Sequence, residues 1–105
     1  MIVTYANKKL ERACTDEREC RKEYPKLVKR IMLRHNSLEV ASSMSDLQRI
    51  DPGGRWHPLH GNRDGEWAGD LSGNYRIIVV PTENGPRVAS VEETEVKVAS
   101  IEDYH

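Results

Sequence analysis

The spacing of apolar residues changes at one place in this chain, the segment from Asp51 to Gly54. Before this segment, apolar residues recur every three or four positions, which is the period of a helix. After it they form short runs between turn residues, which is typical of strands. Because the segment consists of Asp, Pro and two Gly, neither kind of element continues through it. The sequence therefore predicts an α+β fold, with N-terminal helices packed on a small antiparallel sheet.

The chain is predicted to begin with a strand and a helix. Residues 2–6 form a short apolar run that suits an edge strand. Asn7 follows and is a good N-cap, because its side chain can accept a hydrogen bond from the first turn of a helix. Leu10, Ala13 and Cys14 are spaced to give that helix one apolar face.

A second helix is predicted from Pro25, since proline suits the first turn of a helix. Its apolar stripe consists of Leu27, Val28, Ile31, Met32, His35 and Leu38. The basic residues of this helix fall mostly on the opposite face, where we expect them to be solvated. Ser45, followed three residues later by Gln48, predicts a capping box for a short helical turn.

The second half is predicted to form an antiparallel meander. The predicted strands are Arg55–His60, Glu66–Leu71, Tyr75–Val80, Arg87–Val91 and Glu95–Ile101, and a loop is predicted over Pro81–Pro86. The third of these strands is apolar on both faces, which is typical of a central strand. Arg76 is the one charge inside it, and the pairing of neighbouring strands offers Asp70 or Glu66 as its partner.

The length of 105 residues suits a single domain, residues 1–105. The longest apolar run, Ile77–Val80, is far shorter than the about 18 residues of a membrane span, and the N-terminus has no signal pattern. We therefore expect a soluble, cytoplasmic protein with no membrane partner, in which Cys14 and Cys20 are reduced thiols. The net charge is −1, with 11 basic and 8 acidic side chains in residues 1–52. A nucleic-acid partner therefore has to meet a local basic patch.

Several residues of the second half could together support phosphodiester cleavage without a metal. Such a reaction needs a base for the 2′-hydroxyl, a cation beside the phosphate and an acid for the leaving oxygen. The candidates stand on different predicted strands: His57, Arg76, Asp103, Tyr104 and His105. Neighbouring strands lie about 4.8 Å apart, so these side chains can meet although they are distant in sequence.

Other interpretations of the same residues remain open at this point. The candidate residues could be ordinary strand-end and surface side chains, and Arg76 could serve only as an ion-pair partner. A zinc site that joins His57 and His60 with Asp103 and His105 is a weak alternative. Trp56 and Trp67 are expected in the core rather than as stacking platforms for bases. His35 lies on the apolar stripe of its helix and is expected to be packed.

Three segments of the sequence resemble one protein family. They are WHPLHGNRDGEW, GNYRIIV and the terminal IEDYH, and together they resemble the HigB-type killer toxins of type II toxin-antitoxin systems, within the RelE/ParE toxin superfamily. The resemblance covers most of residues 55–80 and 96–105 and, more loosely, the N-terminal helices. It implies a RelE-like toxin fold for the whole chain.

The resemblance also implies an activity. Such a toxin enters the ribosomal A site and cleaves mRNA as a metal-independent endoribonuclease without a cofactor. A HigA-like helix-turn-helix antitoxin neutralises the toxin and carries it to the operator DNA. The active-site positions of the family fall on His57, Asp103, Tyr104 and His105, and the arginine of its central strand falls on Arg76.

Binding of RNA and the ribosome is then expected through the basic side chains, because phosphate neutralisation supplies most of the affinity. The candidates are Lys26, Lys29, Arg30, Arg34, Arg55, His60 and Arg63. Two further functions fit the same fold. One is a ParE-like toxin that inhibits gyrase by binding and does not need His105. The other is an inactive module that only binds the antitoxin.

Overall fold

The computed structural model describes residues 1–82 and 94–103. Over these residues the helices are α1 (Lys8–Thr15), α2 (Glu17–Glu23), α3 (Val28–Val40) and α4 (Met44–Ile50). The strands are β1 (Ile2–Tyr5), β2 (His57–Pro58), β3 (Trp67–Asp70), β4 (Tyr75–Pro81) and β5 (Glu95–Asp103). The predicted α+β fold, with helices first and the sheet second, is confirmed.

All five strands form one sheet, in the order β1-β5-β4-β3-β2. Strands β2 to β5 pair antiparallel, as predicted, and β4 lies inside the sheet between β3 and β5. Strand β1 is an edge strand, also as predicted, but it runs parallel to β5, with Ile2 opposite Glu95. A parallel pair needs a long connection between its strands, and most of the chain lies between these two. The sheet is therefore mixed rather than wholly antiparallel.

Short polar residues set where the helices begin. The Asn7 side chain accepts a hydrogen bond from the Leu10 backbone, so the predicted cap of α1 is confirmed. Asp16 caps α2 in the same way. The cap of α4 is Ser43, whose hydroxyl accepts from the Asp46 backbone, and the predicted cap at Ser45 is wrong. The earlier start adds Met44 to the helix, and its side chain is fully buried.

The predicted second helix also begins later than expected. Helix α3 starts at Val28, and the residues before it, 25–27, form a turn in which the Leu27 backbone donates to the Tyr24 carbonyl at 2.9 Å. Leu27 stands at the N-cap position and offers no capping side chain. Tertiary packing of Val28 and Leu27, each 8% exposed, fixes this end of the helix instead.

The main hydrophobic core lies between the helices and one face of the sheet. The predicted stripe of α3 is buried there apart from Met32, which is partly buried. Trp56 and Trp67 are 4% and 1% exposed, which confirms them as core residues. The Trp56 ring packs over Gly69, where a Cβ atom would stand 2.6 Å from the ring. Position 69 therefore has to be glycine for the Trp56 ring to pack against β3.

The opposite face of the sheet carries Asp70, Arg76 and Glu102, which are among the polar side chains discussed below. Strand β2 is shorter than the predicted Arg55–His60, because Arg55 has a left-handed backbone with φ of 49° and Pro58 has no N–H to donate. The predicted strand Arg87–Val91 and most of the predicted loop Pro81–Pro86 lie outside the described residues. In the described ranges, no helix has the length and apolar character needed to cross a bilayer.

Candidate active site

Two adjoining clefts lie at the β2 to β4 end of the sheet. The first, of about 390 Å³, is lined by Arg55, His57, Asp70 and Arg76. The second, of about 450 Å³, shares three of these residues, Arg55, Asp70 and Arg76, and extends past Gly53 and Gly73 to Arg30. We refer to the two together as the arginine cleft. It unites a histidine, three guanidinium groups and one carboxylate.

The orientation of the His57 ring is fixed by the backbone of the residue two positions earlier. Its Nδ1 atom lies 2.8 Å from the Arg55 carbonyl oxygen. A carbonyl oxygen can only accept, so Nδ1 is the nitrogen that carries the hydrogen. In neutral His57 the other nitrogen, Nε2, therefore carries the lone pair. The left-handed backbone of Arg55 forms the turn that brings its carbonyl into reach of the ring.

The contacts of Arg76 include one carboxylate and two carbonyls. Its Nε atom lies 3.0 Å from Asp70 Oδ1, and its Nη1 donates to the carbonyls of Ser72 at 3.1 Å and Tyr75 at 3.2 Å. Asp70 is also its cross-strand neighbour in the β3–β4 pairing. Of the two partners that the sequence offered, Asp70 is the one that Arg76 contacts. The side chain is 20% exposed, so one side of the guanidinium faces the cleft.

Asp103 ends β5 directly opposite Tyr75 in β4. Because side chains alternate along a strand, Asp103 shares the side of Ile101, which packs against the core, whereas Glu102 shares the side of Arg76. A hollow of about 510 Å³ lies on that helix side and is lined by Tyr75. The structure thus joins His57 and Arg76 in one cleft and does not add Asp103 to it. Tyr104 and His105 lie outside the described residues.

Arg34 corrects the prediction of a solvated basic face on α3. It is 4% exposed, its Nη1 lies 3.0 Å from Asp51 Oδ1, and its Nε donates to the Asp70 carbonyl at 2.8 Å. The second oxygen of Asp51 accepts from Trp56 Nε1 at 3.0 Å. The segment after α4 covers this part of the helix, so Arg34 is a structural residue and cannot reach RNA.

Arg63 is also occupied by carboxylates. Its guanidinium makes two hydrogen bonds to Glu102, at 2.9 and 2.7 Å, and contacts Glu66 at 2.8 Å. Hydrogen bonds from Arg63, and next from Ser100, lower the pKa of the Glu102 carboxyl, although burial opposes this. The same bonds raise the pKa of Arg63. Arg63 therefore joins the loop after β2 to the end of β5, and its charge is already neutralised.

The remaining predicted RNA-binding residues stand on the surface. Unlike Arg34, these side chains are exposed and can contact RNA. They are Lys26, Lys29, Arg30, Arg55 and His60. Arg30 also donates to the Leu71 carbonyl at 3.3 Å, which holds it beside the arginine cleft. Within residues 1–82 and 94–103, no group of three His, Cys, Asp or Glu side chains is arranged to hold a metal.

Sequence reasoning missed the role of Asp51 and of the Arg55 backbone. In the sequence Asp51 indicates only a chain break, and no local pattern shows that its carboxylate pairs with Arg34 and Trp56. Asp70 and Arg76 each lie three residues from Gly73 along the chain. A tight hairpin turn at Gly73 therefore places them opposite each other, and this spacing could be recognised in the sequence. The left-handed conformation of Arg55 carries no such signal, because arginine rarely adopts it.

Solved structures share this fold, and two of them are as follows. A chain of the YoeB-YefM complex from Staphylococcus aureus matches with a TM-score of 0.59 and 18% identity, over 100% of this chain and 97% of the other. The YoeB/ParE toxin from Agrobacterium tumefaciens matches with a TM-score of 0.54 and 16% identity, over 100% of both chains. No family model and no curated protein matches the sequence. At these identities the likeness concerns the fold alone, and it confirms the RelE-like toxin fold that the three sequence segments implied.

Proposed function

We propose that this protein is the toxin of a type II toxin-antitoxin system, of the HigB type, and that it cleaves mRNA on the ribosome as a metal-independent endoribonuclease. The observation that carries the proposal is the pairing of His57 with Arg76 in one cleft, with the Nε2 lone pair of His57 left for proton transfer. The fold adds support, since one of the two solved neighbours is itself named a toxin.

The proposed reaction begins with the 2′-hydroxyl of the RNA. His57 Nε2 takes its proton, and the 2′-oxygen attacks the adjacent phosphorus. The bond to the 5′-oxygen breaks, which leaves a 2′,3′-cyclic phosphate and a 5′-hydroxyl. Arg76 lies beside the charge that builds up on the phosphate oxygens and stabilises it. Of the two bases that the sequence offered, we assign this role to His57 because it lines the cleft together with Arg76.

The terminal segment supplies the remaining roles in this proposal. Asp103 or His105 protonates the leaving 5′-oxygen, and Tyr104 orients or stacks on a base. What supports them is the position of the chain: β5 ends opposite Tyr75, one residue from Arg76 in β4. We keep the division of work between Asp103 and His105 open.

The proposed partners follow from the exposed cations. The group formed by Lys26, Lys29, Arg30, Arg55 and His60 supplies positive charge for the phosphates of mRNA and ribosomal RNA in the A site. A helix-turn-helix antitoxin of the HigA kind is the proposed neutralising partner, and the toxin reaches operator DNA only through it. The YoeB-YefM complex supports a partner protein, since the matched chain comes from a complex.

The test is inducible expression with growth measurement and primer extension on a reporter mRNA. We compare the wild type with His57→Gln, with a chain that lacks residues 103–105, and with Asn62→Ala, an exposed control on the same loop. We expect new 5′ ends from the wild type and the control, and a loss of cleavage of about 10²-fold or more in the first two variants.

Other outcomes select among the alternatives. Growth arrest without RNA cleavage, and unchanged in His57→Gln, contradicts the nuclease and favours a ParE-like toxin that binds gyrase. No arrest from a folded, expressed wild-type chain favours a module that only binds the antitoxin. Cleavage that persists in His57→Gln refutes the assigned base.

A further inference from the structure

We propose that Arg30, Arg55 and Arg76 form a phosphate-binding site and that the carboxylate of Asp70 is a fixed negative charge within it. This charge reduces the binding of dianionic phosphate more than the binding of a phosphodiester. The ligand class is a singly charged phosphodiester of single-stranded RNA, an identity that rests on the proposed function. The site itself is argued from the arginine cleft alone.

The two oxygens of the Asp70 carboxylate face two different arginines. Oδ1 lies 3.0 Å from Arg76 Nε, and Oδ2 lies 3.7 Å from Arg55 Nε. This is the arrangement in which guanidinium groups bind the oxygens of a phosphate. Asp70 thus occupies the position that an anionic ligand has to share.

Asp70 cannot easily move out of this position. Its backbone pairs with Arg76 in the sheet, and its carbonyl accepts a hydrogen bond from the buried Arg34 at 2.8 Å. The Asp70 side chain is only 21% exposed, whereas the Arg55 side chain is 80% exposed. When an anion enters, we therefore expect Arg55 to turn toward it while Asp70 stays in place.

The charge balance keeps the cleft attractive to anions, and Asp70 lowers that attraction most for the more highly charged ones. The charged side chains that line the second cleft, among the described residues, are the three arginines and Asp70. Their formal sum is +2, so a phosphodiester is attracted even beside Asp70. The carboxylate repels an anion in proportion to its charge, so a phosphate dianion suffers about twice the repulsion of a diester.

This repulsion has a function in an enzyme of the proposed kind. The substrate carries internal phosphodiesters, whereas the cell contains free phosphate and phosphate monoesters with two charges. A carboxylate fixed in the site weakens the competition from these dianions more than it weakens the substrate. Specificity of this kind comes from a repulsive element rather than from an added contact.

The experiment measures binding by full-length protein in the absence of cleavage. The probes are a 2′-O-methyl RNA hexamer, which has no attacking hydroxyl, and inorganic phosphate, each titrated by calorimetry or NMR at pH 7.5. The variants are Asp70→Asn and the matched control Asp64→Asn, which changes the net charge equally on an exposed residue outside the cleft. We expect Asp70→Asn to bind the hexamer roughly fivefold more tightly, with a larger gain for inorganic phosphate, and Asp64→Asn to stay within about twofold of the wild type.

Equal effects of Asp70→Asn and Asp64→Asn would overturn the inference, and so would weaker binding of both probes by a folded Asp70→Asn chain. If Asp70→Asn does not fold, Arg55→Ala provides the second test. This substitution should lower the affinity for both probes severalfold, and unchanged affinity would refute the site. Binding of phosphate alone, without the hexamer, would contradict RNA as the ligand. None of these measurements depends on catalysis, so loss of the nuclease proposal would leave the Asp70 result intact.

Discussion

Two arginine–aspartate pairs in this protein have the same length and opposite surroundings. Arg34 and Asp51 approach to 3.0 Å, and their side chains are 4% and 7% exposed. Arg76 and Asp70 also approach to 3.0 Å, with side chains 20% and 21% exposed. The first pair is sealed beneath the segment after α4, and the second opens onto the arginine cleft.

The comparison shows that the distance within an ion pair does not define its role. In the sealed pair both carboxylate oxygens of Asp51 accept hydrogen bonds inside the protein, one from Arg34 and one from Trp56. Removing one member of such a pair leaves an uncompensated charge that water cannot reach. In the open pair, water or a ligand can replace either partner. The sealed pair therefore stabilises the fold, while the open pair is suited to binding.

The largest effect should come from breaking the sealed pair. We expect Asp51→Ala to destabilise the protein by about 3–5 kcal/mol, because Arg34 stays buried without its partner. The matched variant Asp70→Ala should cost at most about 1 kcal/mol, since solvent screens the open pair. Urea unfolding followed by circular dichroism measures both. Equal losses in the two variants would contradict the distinction between the pairs.

A smaller effect should follow from moving Trp56, which reaches the sealed pair from the other side. A Cβ at position 69 would stand 2.6 Å from its ring, so we expect Gly69→Ala to cost about 1–3 kcal/mol through overpacking. Gly73→Ala is the control beside the open pair, where a Cβ would meet nothing within 4 Å. Thermal unfolding of the two variants tests this, and a stable Gly69→Ala chain would show that the ring can move without harm.

The smallest effect concerns another ion pair, between Arg63 and Glu102. Both of its side chains are 30% exposed, so this pair is more accessible to solvent than the sealed and open pairs. Arg63 lowers the pKa of Glu102, so the pair stabilises the fold above the ordinary glutamate value of 4.5. That contribution is lost as the pH falls through the lowered pKa of the folded state. Arg63→Gln should therefore cost less than about 1 kcal/mol at pH 7, and progressively less as the pH is lowered below 4.

Urea unfolding of the wild type and Arg63→Gln at pH 7 and pH 3 checks this dependence. Arg21→Gln is the control, because Arg21 pairs with Glu17 at 3.3 Å on a surface where both side chains are more than half exposed. Its effect should be near zero at both pH values. A cost of Arg63→Gln that stays constant between pH 7 and pH 3 would contradict the role of Glu102.

The elements of the fold were readable from local patterns, and the errors came from contacts between distant segments. The stripe on α3 and the both-sided apolar strand β4 follow from residue spacing, which is a local property. Arg34 was wrongly placed in solvent because helical spacing assigns a face without saying what covers that face. The parallel pairing of β1 with β5 was missed for the same reason, since its partner lies 93 residues away.

The candidate site was predictable as residue types but not as geometry. Proton-transfer chemistry pointed to His57 and the lone charge in an apolar strand pointed to Arg76, and both line one cleft. The hydrogen on His57 Nδ1 depends on the left-handed turn at Arg55, which no local pattern encodes. The convergence of Asp103 with His57 stays a prediction, since the strand pairing gives only its position opposite Tyr75 at the end of β5.

The position of β5 has a consequence for how this protein is made. It is the last described strand in the sequence, yet it lies between β1 and β4 and pairs with both. During synthesis the sheet cannot close until residue 103 has been added, and β1 has to wait unpaired until then. Pairing between strands that are far apart in the sequence is typical of topologies that fold slowly. For the proposed nuclease, this order means that a nascent chain cannot complete its proposed site before the terminal residues have been added.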